Sequence, residues 1–437
     1  MPSPPFSRFS GRYRWLVCAL LFIATTINYM DRQILSLLKP ILDDQLHWTN
    51  EQFGRVNAAF QGAYAVGLML FGALIDRVGV RIGYAISIAA WSLAAIGHAG
   101  AATVGGFLMA RVALGIGEGG NFPSSIKAIA TWFPQKERAL ATALFNSGAN
   151  VGAIIAPAVV PLIAFTLGWQ FAFIGMGAAG LLWLFLWLPL YDVPQKIARV
   201  TPGELLHIRG DSDQIALDAG SARVGWMELL RYRQTWSFIM AKLMTDPVWW
   251  FFLIWLPDYF KKTRHLDLKK SWVHLVTIYA IITVLSIAGG WLTGYLARRG
   301  SSVSRARKTA MLIFAACVVP ILFATRVSPW GAVILIGIAG ASHQAWSANL
   351  FTTVSDMFPK RAVASVVGVG GMAGSVGGII FPLYAGKLLD RFSAKGDVTA
   401  GYAILFGICG FAYLLAFAVN HLLAPRFEPF AMAGEPS

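Results

Sequence analysis

The chain has 437 residues, of which 57% are hydrophobic and only 13% charged, with a formal net charge of +15. A soluble globular chain carries about twice that charged fraction, which excludes a soluble domain. The basic residues fall in short connections rather than on one face, which excludes a nucleic-acid partner and points to the lipid bilayer.

Taken in order, apolar segments begin near Trp15, Gln52, Ile82, Val104, Ala139, Gly168, Thr235, Ser271, Thr309, Trp330, Ala362 and Gly401. Each is long enough to cross a bilayer, so the expected fold is an all-α polytopic membrane protein with twelve transmembrane helices. The first segment carries Asp31 and Arg32 and lacks a small-residue cleavage site, so no cleavable signal is expected. Arg8, Arg12 and Arg14 precede the first span, Arg77 and Arg81 follow the second, and Lys136 and Arg138 follow the fourth. The connections 97–103 and 163–169 hold neither Lys nor Arg, so both termini are expected in the cytoplasm. One connection disagrees: Lys261, Lys262, Arg264, Lys269 and Lys270 follow span seven on the opposite side, either as a rim attractive to anions or, the preferred reading, as a neutral exception. Cys18, Cys317 and Cys409 lie in apolar segments and read as buried thiols without a disulfide framework.

Between Tyr191 and Arg233 the composition turns polar. This divides the chain into a six-helix half at residues 1–191, a cytoplasmic linker at 192–234 and a second six-helix half at 235–437. At the linker's start, Thr201 can cap a short surface helix with Pro202 in its first turn.

The charged and polar residues inside the spans carry the chemistry. In span one, Asp31 and Arg32 are adjacent, so their side chains diverge by about 100° and cannot neutralise each other along one face. Arg32 offers a planar, permanently charged fork for a carboxylate; its alternative is a boundary arginine reaching headgroups. In span two, Gln61 and Tyr64 share a face, and Tyr64 equally suits a hydrogen bond to a ligand and a packed tyrosine with one internal partner. Span four places Arg111 and Glu118 two turns apart on nearly one face, roughly 10 Å along the axis. An acid there is a candidate proton-exchanging group, or else half of a fixed ion pair. Asn146 and Asn150 sit one turn apart in span five, lining a cavity or bonding helix to helix. In span seven, Lys242 and Asp246 have the spacing of a structural helical pair, Pro247 can break the helix, and Trp249 and Trp250 suit the apolar face of a sugar ring.

An internal repeat supports the division. A displacement of 225 residues matches Phe133 to Phe358, Pro134 to Pro359, Ala139 to Ala364, Gly152 to Gly377, Ile154 to Ile379, Ile155 to Ile380 and Pro157 to Pro382. Repeated halves mark secondary carriers, with the substrate site near mid-membrane between the repeats. The same displacement sets His343 opposite Glu118, with Gln344, Trp346 and Asn349 beside it.

The loop GALIDRVGVRIG, containing Asp76 and Arg77, resembles the loop signature of the major facilitator superfamily. Its partner GGWLTGYLARRG repeats the glycines but lacks the aspartate; Asp76 and Arg77 read as gate elements rather than substrate ligands. NYMDR in span one with RVALGIGEGGNFP in span four resembles the anion:cation symporter family, and TDPVWWFFLIWLPDYF with HQAWSANLF resembles its hexuronate transporters. That resemblance implies that Arg32 binds the substrate carboxylate and that Asp31 and Glu118 exchange protons, with Arg111 as switching partner. It further implies that Tyr29, Tyr64, Trp249, Trp250, His343, Gln344 and Asn349 shape the sugar pocket; Asn150 joins them as a lining residue.

The expected function is a proton-coupled symporter importing a hexuronate such as glucuronate or galacturonate across a bacterial inner membrane, acting as a monomer. Protons serve as coupling ion, with no other cofactor and no metal. An aldonate symporter and a transporter-like sensor are the rivals. HExxH, paired Cys-x-x-Cys, Walker and Gly-x-Ser-x-Gly motifs are all missing, which argues against an enzyme.

Overall fold

The computed structural model describes residues 12–209, 226–266, 268–358 and 360–428. Arg8, the linker stretch 210–225 and Pro359 lie outside the described residues, as do the side chains of Asp76, Lys136, Arg138, Lys269 and Ala364. The first seven helices are α1 (Tyr13–Leu46), α2 (Asn50–Val78), α3 (Val80–Gly97), α4 (Val104–Glu118), α5 (Asn121–Trp132), α6 (Gln135–Thr166) and α7 (Trp169–Leu190). Short α8 (Pro202–Arg209) and α9 (Trp226–Leu229) follow. Then come α10 (Arg233–Arg264), α11 (Leu268–Arg298), α12 (Val303–Val318), α13 (Pro329–Met357), α14 (Lys360–Ser393) and α15 (Val398–Leu423). No strand occurs among the described residues, and ten helices are individually long and apolar enough to cross a bilayer. The other two of the twelve expected spans correspond to α4 with α5, and to α13.

Two compact units form: Met1–Leu38 with Ala59–Ser221, and Lys39–Ala58 with Ala222–Ser437. The end of α1 and the start of α2 therefore group with the second unit, not with the rest of residues 1–191. Helix ends recur at the displacement read from the sequence: α4 begins at Val104 and α13 at Pro329, while α5 ends at Trp132 and α13 at Met357. Caps recur too. The Thr103 hydroxyl accepts from Gly106 N at 3.1 Å, and the Ser328 hydroxyl accepts from Gly331 N at 3.1 Å.

Within the first unit, α3 packs on α4 and α7 around buried Tyr84, Trp91, Trp183 and Trp187. In lipid such burial brings little hydrophobic gain, so close packing over small residues holds the helices together. The expected single span over 104–129 is interrupted after Glu118, at Gly119 and Gly120. A side chain at Gly119 would stand 2.3 Å from the Gly67 carbonyl carbon, so glycine there lets α2 reach the break. The linker helix is anchored: Glu204 is fully buried and accepts from the backbone N–H of Tyr13 at 3.3 Å and of Arg14 at 3.1 Å, capping α1. The Thr201 hydroxyl accepts from Glu204 N at 3.2 Å, as its capping role requires.

Within the second unit, α10 packs on α14 and α15, and α11 on α13. Pro247, able to break a helix, is accommodated here; α10 runs through Pro247 and Pro257. Gly377 of α14 leaves the space, since a Cβ there would stand 2.5 Å from Pro247 Cγ. The start of α2 is closed twice, by a Thr49–Gln52 capping box and by Asp390, which accepts from Asn50 N at 2.8 Å and Glu51 N at 2.7 Å. All three cysteines are free; Cys18 and Cys409 are buried, and Cys317 is only half-buried.

Candidate functional site

In the first unit, α1 and α4 bring Asn28, Asp31, Arg32, Arg111 and Glu118 together, each at most 9% exposed. Arg32 Nε donates to Glu118 Oε2 at 2.6 Å. Three rings surround the Arg32 guanidinium: its Cζ stands 5.0 Å from the Tyr29 ring centre, 5.6 Å from Phe60 and 4.4 Å from Tyr64. Such rings shield a cation from lipid while leaving its charge available. Arg111, two turns before Glu118 on α4, donates through Nη2 to the Arg32 carbonyl oxygen at 3.4 Å and stands 5.4 Å from the Phe60 ring. The two turns between them keep Arg111 out of hydrogen-bond reach of Glu118, as the spacing implies, whereas Arg32 approaches Glu118 from the side on α1. Asp31 is 1% exposed, and neither carboxylate oxygen has a hydrogen-bond partner among the described residues. Phe60 is the residue the sequence reading missed; its stacking on Tyr64, one turn on, is the signal that could have found it.

Polar side chains elsewhere in this unit are more loosely placed. Asn150 is half-buried and Asn146 exposed, while Arg77 is exposed at the end of α2. Gln61, on α2 next to Phe60 in the chain, is 1% exposed.

In the second unit, α10, α13 and α15 assemble a different group. The Trp249 ring stacks on His343 with centres 5.4 Å apart and planes within 7°. His343 Nδ1 shares a 2.6 Å hydrogen bond with the Tyr413 hydroxyl, whose proton is directed to the Thr245 carbonyl at 3.3 Å. The hydroxyl bridges the imidazole and that carbonyl and so fixes the orientation of the ring. Asn349 is internally engaged: it donates to Ala345 O at 2.9 Å and accepts from the Thr293 hydroxyl at 2.7 Å. Gln344 and Trp250 are half-buried. Lys242 and Asp246 form the expected helical pair at 2.7 Å.

A second charged cluster lies at the other end of α10. Lys39, 1% exposed, donates to Asp258 at 2.9 Å and to Asp43 at 2.7 Å, and Tyr402 donates to Asp258 at 2.5 Å. Lys262 stands 3.1 Å from Asp258 and Lys261 3.4 Å from Asp44. Two of the five basic residues that follow span seven, Lys261 and Lys262, are thus offset by aspartates. Among the described residues no group of three or more His, Cys, Asp or Glu could hold a metal ion.

Long apolar helices in two repeated sets, with ionisable side chains buried in mid-span, define a multi-pass membrane carrier. The chain belongs to the Major Facilitator Superfamily, whose sequence pattern matches residues 21–382. It is a transporter rather than an enzyme. It is 30% identical over 402 residues to the hexuronate transporter of Escherichia coli K12, covering 90% of each chain. It is 28% identical over 397 residues to the D-galactonate transporter of Escherichia coli O6:H1, covering 87% of this chain and 90% of that one. In fold it is similar to a bacterial homologue of the human lysosomal transporter Spinster, with a TM-score of 0.74 and 18% identity, covering 96% of this chain and 98% of that chain.

Proposed function

We propose that this protein is a proton-coupled symporter that imports a sugar acid, most specifically a hexuronate such as glucuronate or galacturonate, across a bacterial inner membrane. In this reading it works as a monomer of two six-helix halves joined by a cytoplasmic linker, with both termini in the cytoplasm. The observation that carries the reading is that Glu118 occupies the guanidinium of Arg32. Arg32 is the group a substrate carboxylate needs. Asp31, Glu118, Arg32 and Arg111 carry two charges of each sign, so a single proton leaves the cluster with one net positive charge. One bound carboxylate then restores neutrality at low dielectric. A proton on Glu118 releases Arg32 to the substrate, and loss of that proton restores the internal pair and expels the anion.

Asp31 supports the proton step, because an ionised carboxylate buried without hydrogen bonds is costly and a proton offsets that cost. Tyr29, Tyr64 and Asn150 line the anion site, and Arg111 holds the α1 backbone beside it. Trp249, His343 and Gln344 receive the sugar ring, with the His343 imidazole as a hydrogen-bonding group for its hydroxyls. Trp250 and Asn349 shape the wall, and Asp76 with Arg77 belongs to a cytoplasmic gate. The 28% identity to a galactonate transporter supports an aldonate as second reading. Accumulation of labelled glucuronate in proteoliposomes under an imposed pH gradient tests both. Competition by galactonate that exceeds galacturonate favours the aldonate, and equal competition by neutral glucose removes the arginine-centred site.

A further inference from the structure

The second unit contains a cation-lined hollow that the transport reading does not use. It encloses about 290 Å3 between the first turns of α12 and the segment that follows α15, and is lined by Arg305, Lys308 and Arg426 with Ser302 and Thr309. Glu428 is the one carboxylate in its wall. The wall is fixed. Phe427 is 3% exposed and its N–H donates to the Ser304 hydroxyl at 2.8 Å; Lys308 Nζ donates to Ala424 O at 2.7 Å and lies 4.2 Å from the Phe427 ring centre.

Three cations, brought to one hollow from segments about 120 residues apart, face the single carboxylate of Glu428, so the hollow keeps an excess of positive charge that a bound anion would offset. Arg307, on the same turn as Arg305, is already paired with Asp356. By contrast, Arg305 and Arg426 have no ion-pair partner among the described residues. Two guanidinium forks with neighbouring hydroxyls match the several acceptor oxygens of a phosphate.

The surface beside the hollow bears on which source of phosphate would fit it. Arg305, Thr309, Leu312, Ile313 and Ala316 are all exposed on α12, and their spacing puts them on one stripe running from the basic end into the apolar span. A free phosphate would use only the top of that stripe; a phospholipid would use all of it. We propose that the hollow is a specific seat for an anionic phospholipid of the phosphatidylglycerol kind, its phosphodiester between Arg305 and Arg426 and an acyl chain along Leu312 and Ile313. The seat pins the C-terminal segment to α12.

The experiment needs no transport assay and so stands or falls apart from the proposed function. The full-length protein in neutral detergent is titrated with short-chain phosphatidylglycerol, short-chain phosphatidylcholine or inorganic phosphate, and its thermal midpoint is recorded. Phosphatidylglycerol alone should raise the midpoint, and the Arg305→Ala/Arg426→Ala variant should lose that rise while keeping the wild-type midpoint in phosphatidylcholine. Native mass spectrometry of the unaltered protein should retain phosphatidylglycerol over phosphatidylcholine at equal concentration, which tests the idea even if the variant fails to fold. Equal response to both lipids, or an undiminished rise in the variant, overturns the seat. A rise produced as well by inorganic phosphate overturns the lipid as its occupant.

Discussion

Arg32 and Glu118 are joined by a 2.6 Å hydrogen bond between α1 and α4, with Glu118 fully buried and Arg32 only 9% exposed. A charge-assisted bond of this kind contributes about 1.5–3 kcal/mol, equivalent to roughly 10–150-fold in a binding constant. An anion that takes Arg32 competes with Glu118 for the guanidinium, and in the proposed function that competition is the coupling device.

Glu118→Gln keeps the shape of the side chain and removes its charge. Substrate affinity, measured by calorimetry between pH 6 and 8, should rise by about tenfold at the alkaline end and lose its pH dependence, since one charge-assisted bond no longer competes. Accumulation driven by a pH gradient should fail, while exchange of preloaded for external label should persist. Undiminished gradient-driven uptake would take the proton away from Glu118.

Arg32→Ala removes the anion grip, and binding of labelled glucuronate should weaken by at least about 100-fold, the loss expected of a buried ionic contact. Arg32→Lys should rescue little of it. A lysine has neither the planar fork nor the weak hydration that suits a site between Tyr29, Phe60 and Tyr64. Retained affinity in the alanine variant would place the anion elsewhere.

What the sequence discloses here is chemistry that stands out one residue at a time. Asp31, Arg32, Arg111 and Glu118 are conspicuous because a charge in an apolar run has a cost whatever it touches. Partnerships are not disclosed in that way. Spacing puts Arg111 and Glu118 on one face of α4, but it does not show that the acid is taken by Arg32, 86 positions away. Phe60 is one phenylalanine among 29, and its place against Arg32 depends on how α1 meets α2. The two-repeat plan is legible because aligned prolines and the Phe-Pro pair record it. The break after Glu118 is not, since glycines in a span mark close approach and interruption alike, and only the contact with Gly67 tells which.

Lys39 and Asp258 make a stability prediction. Both are at most 1% exposed and 2.9 Å apart, so Lys39→Ala leaves a carboxylate buried with Lys262 as its remaining cation. The second unit should lose about 3–5 kcal/mol, the cost of breaking a buried ion pair from one side. Arg55→Ala, which breaks the exposed pair with Glu51, should cost about 0–1 kcal/mol. Thermal midpoints of the two variants in one detergent compare them directly, and equal losses would mean the Lys39 pair adds nothing beyond a surface contact.

Glu137, at the start of α6, supplies a pH dependence outside the spans. Burial works against its charged form, but hydrogen bonds from Arg14 at 2.9 Å and His207 at 2.9 Å outweigh that and hold its carboxyl below the ordinary glutamate range. A carboxyl lowered in the folded chain contributes stability above the unfolded value, near pH 4.5, and loses it as pH falls through the lower folded value. Glu137→Gln should therefore be less stable than wild type at pH 7, by a margin kept small by the partial exposure of the site. The margin should hold down to about pH 5 and shrink below pH 4.5, as the wild-type carboxyl itself takes up a proton. Thermal melts of both proteins from pH 7 to pH 3.5 measure it. A margin that widened as the pH fell would mean that Arg14 and His207 do not hold this carboxylate in its charged form.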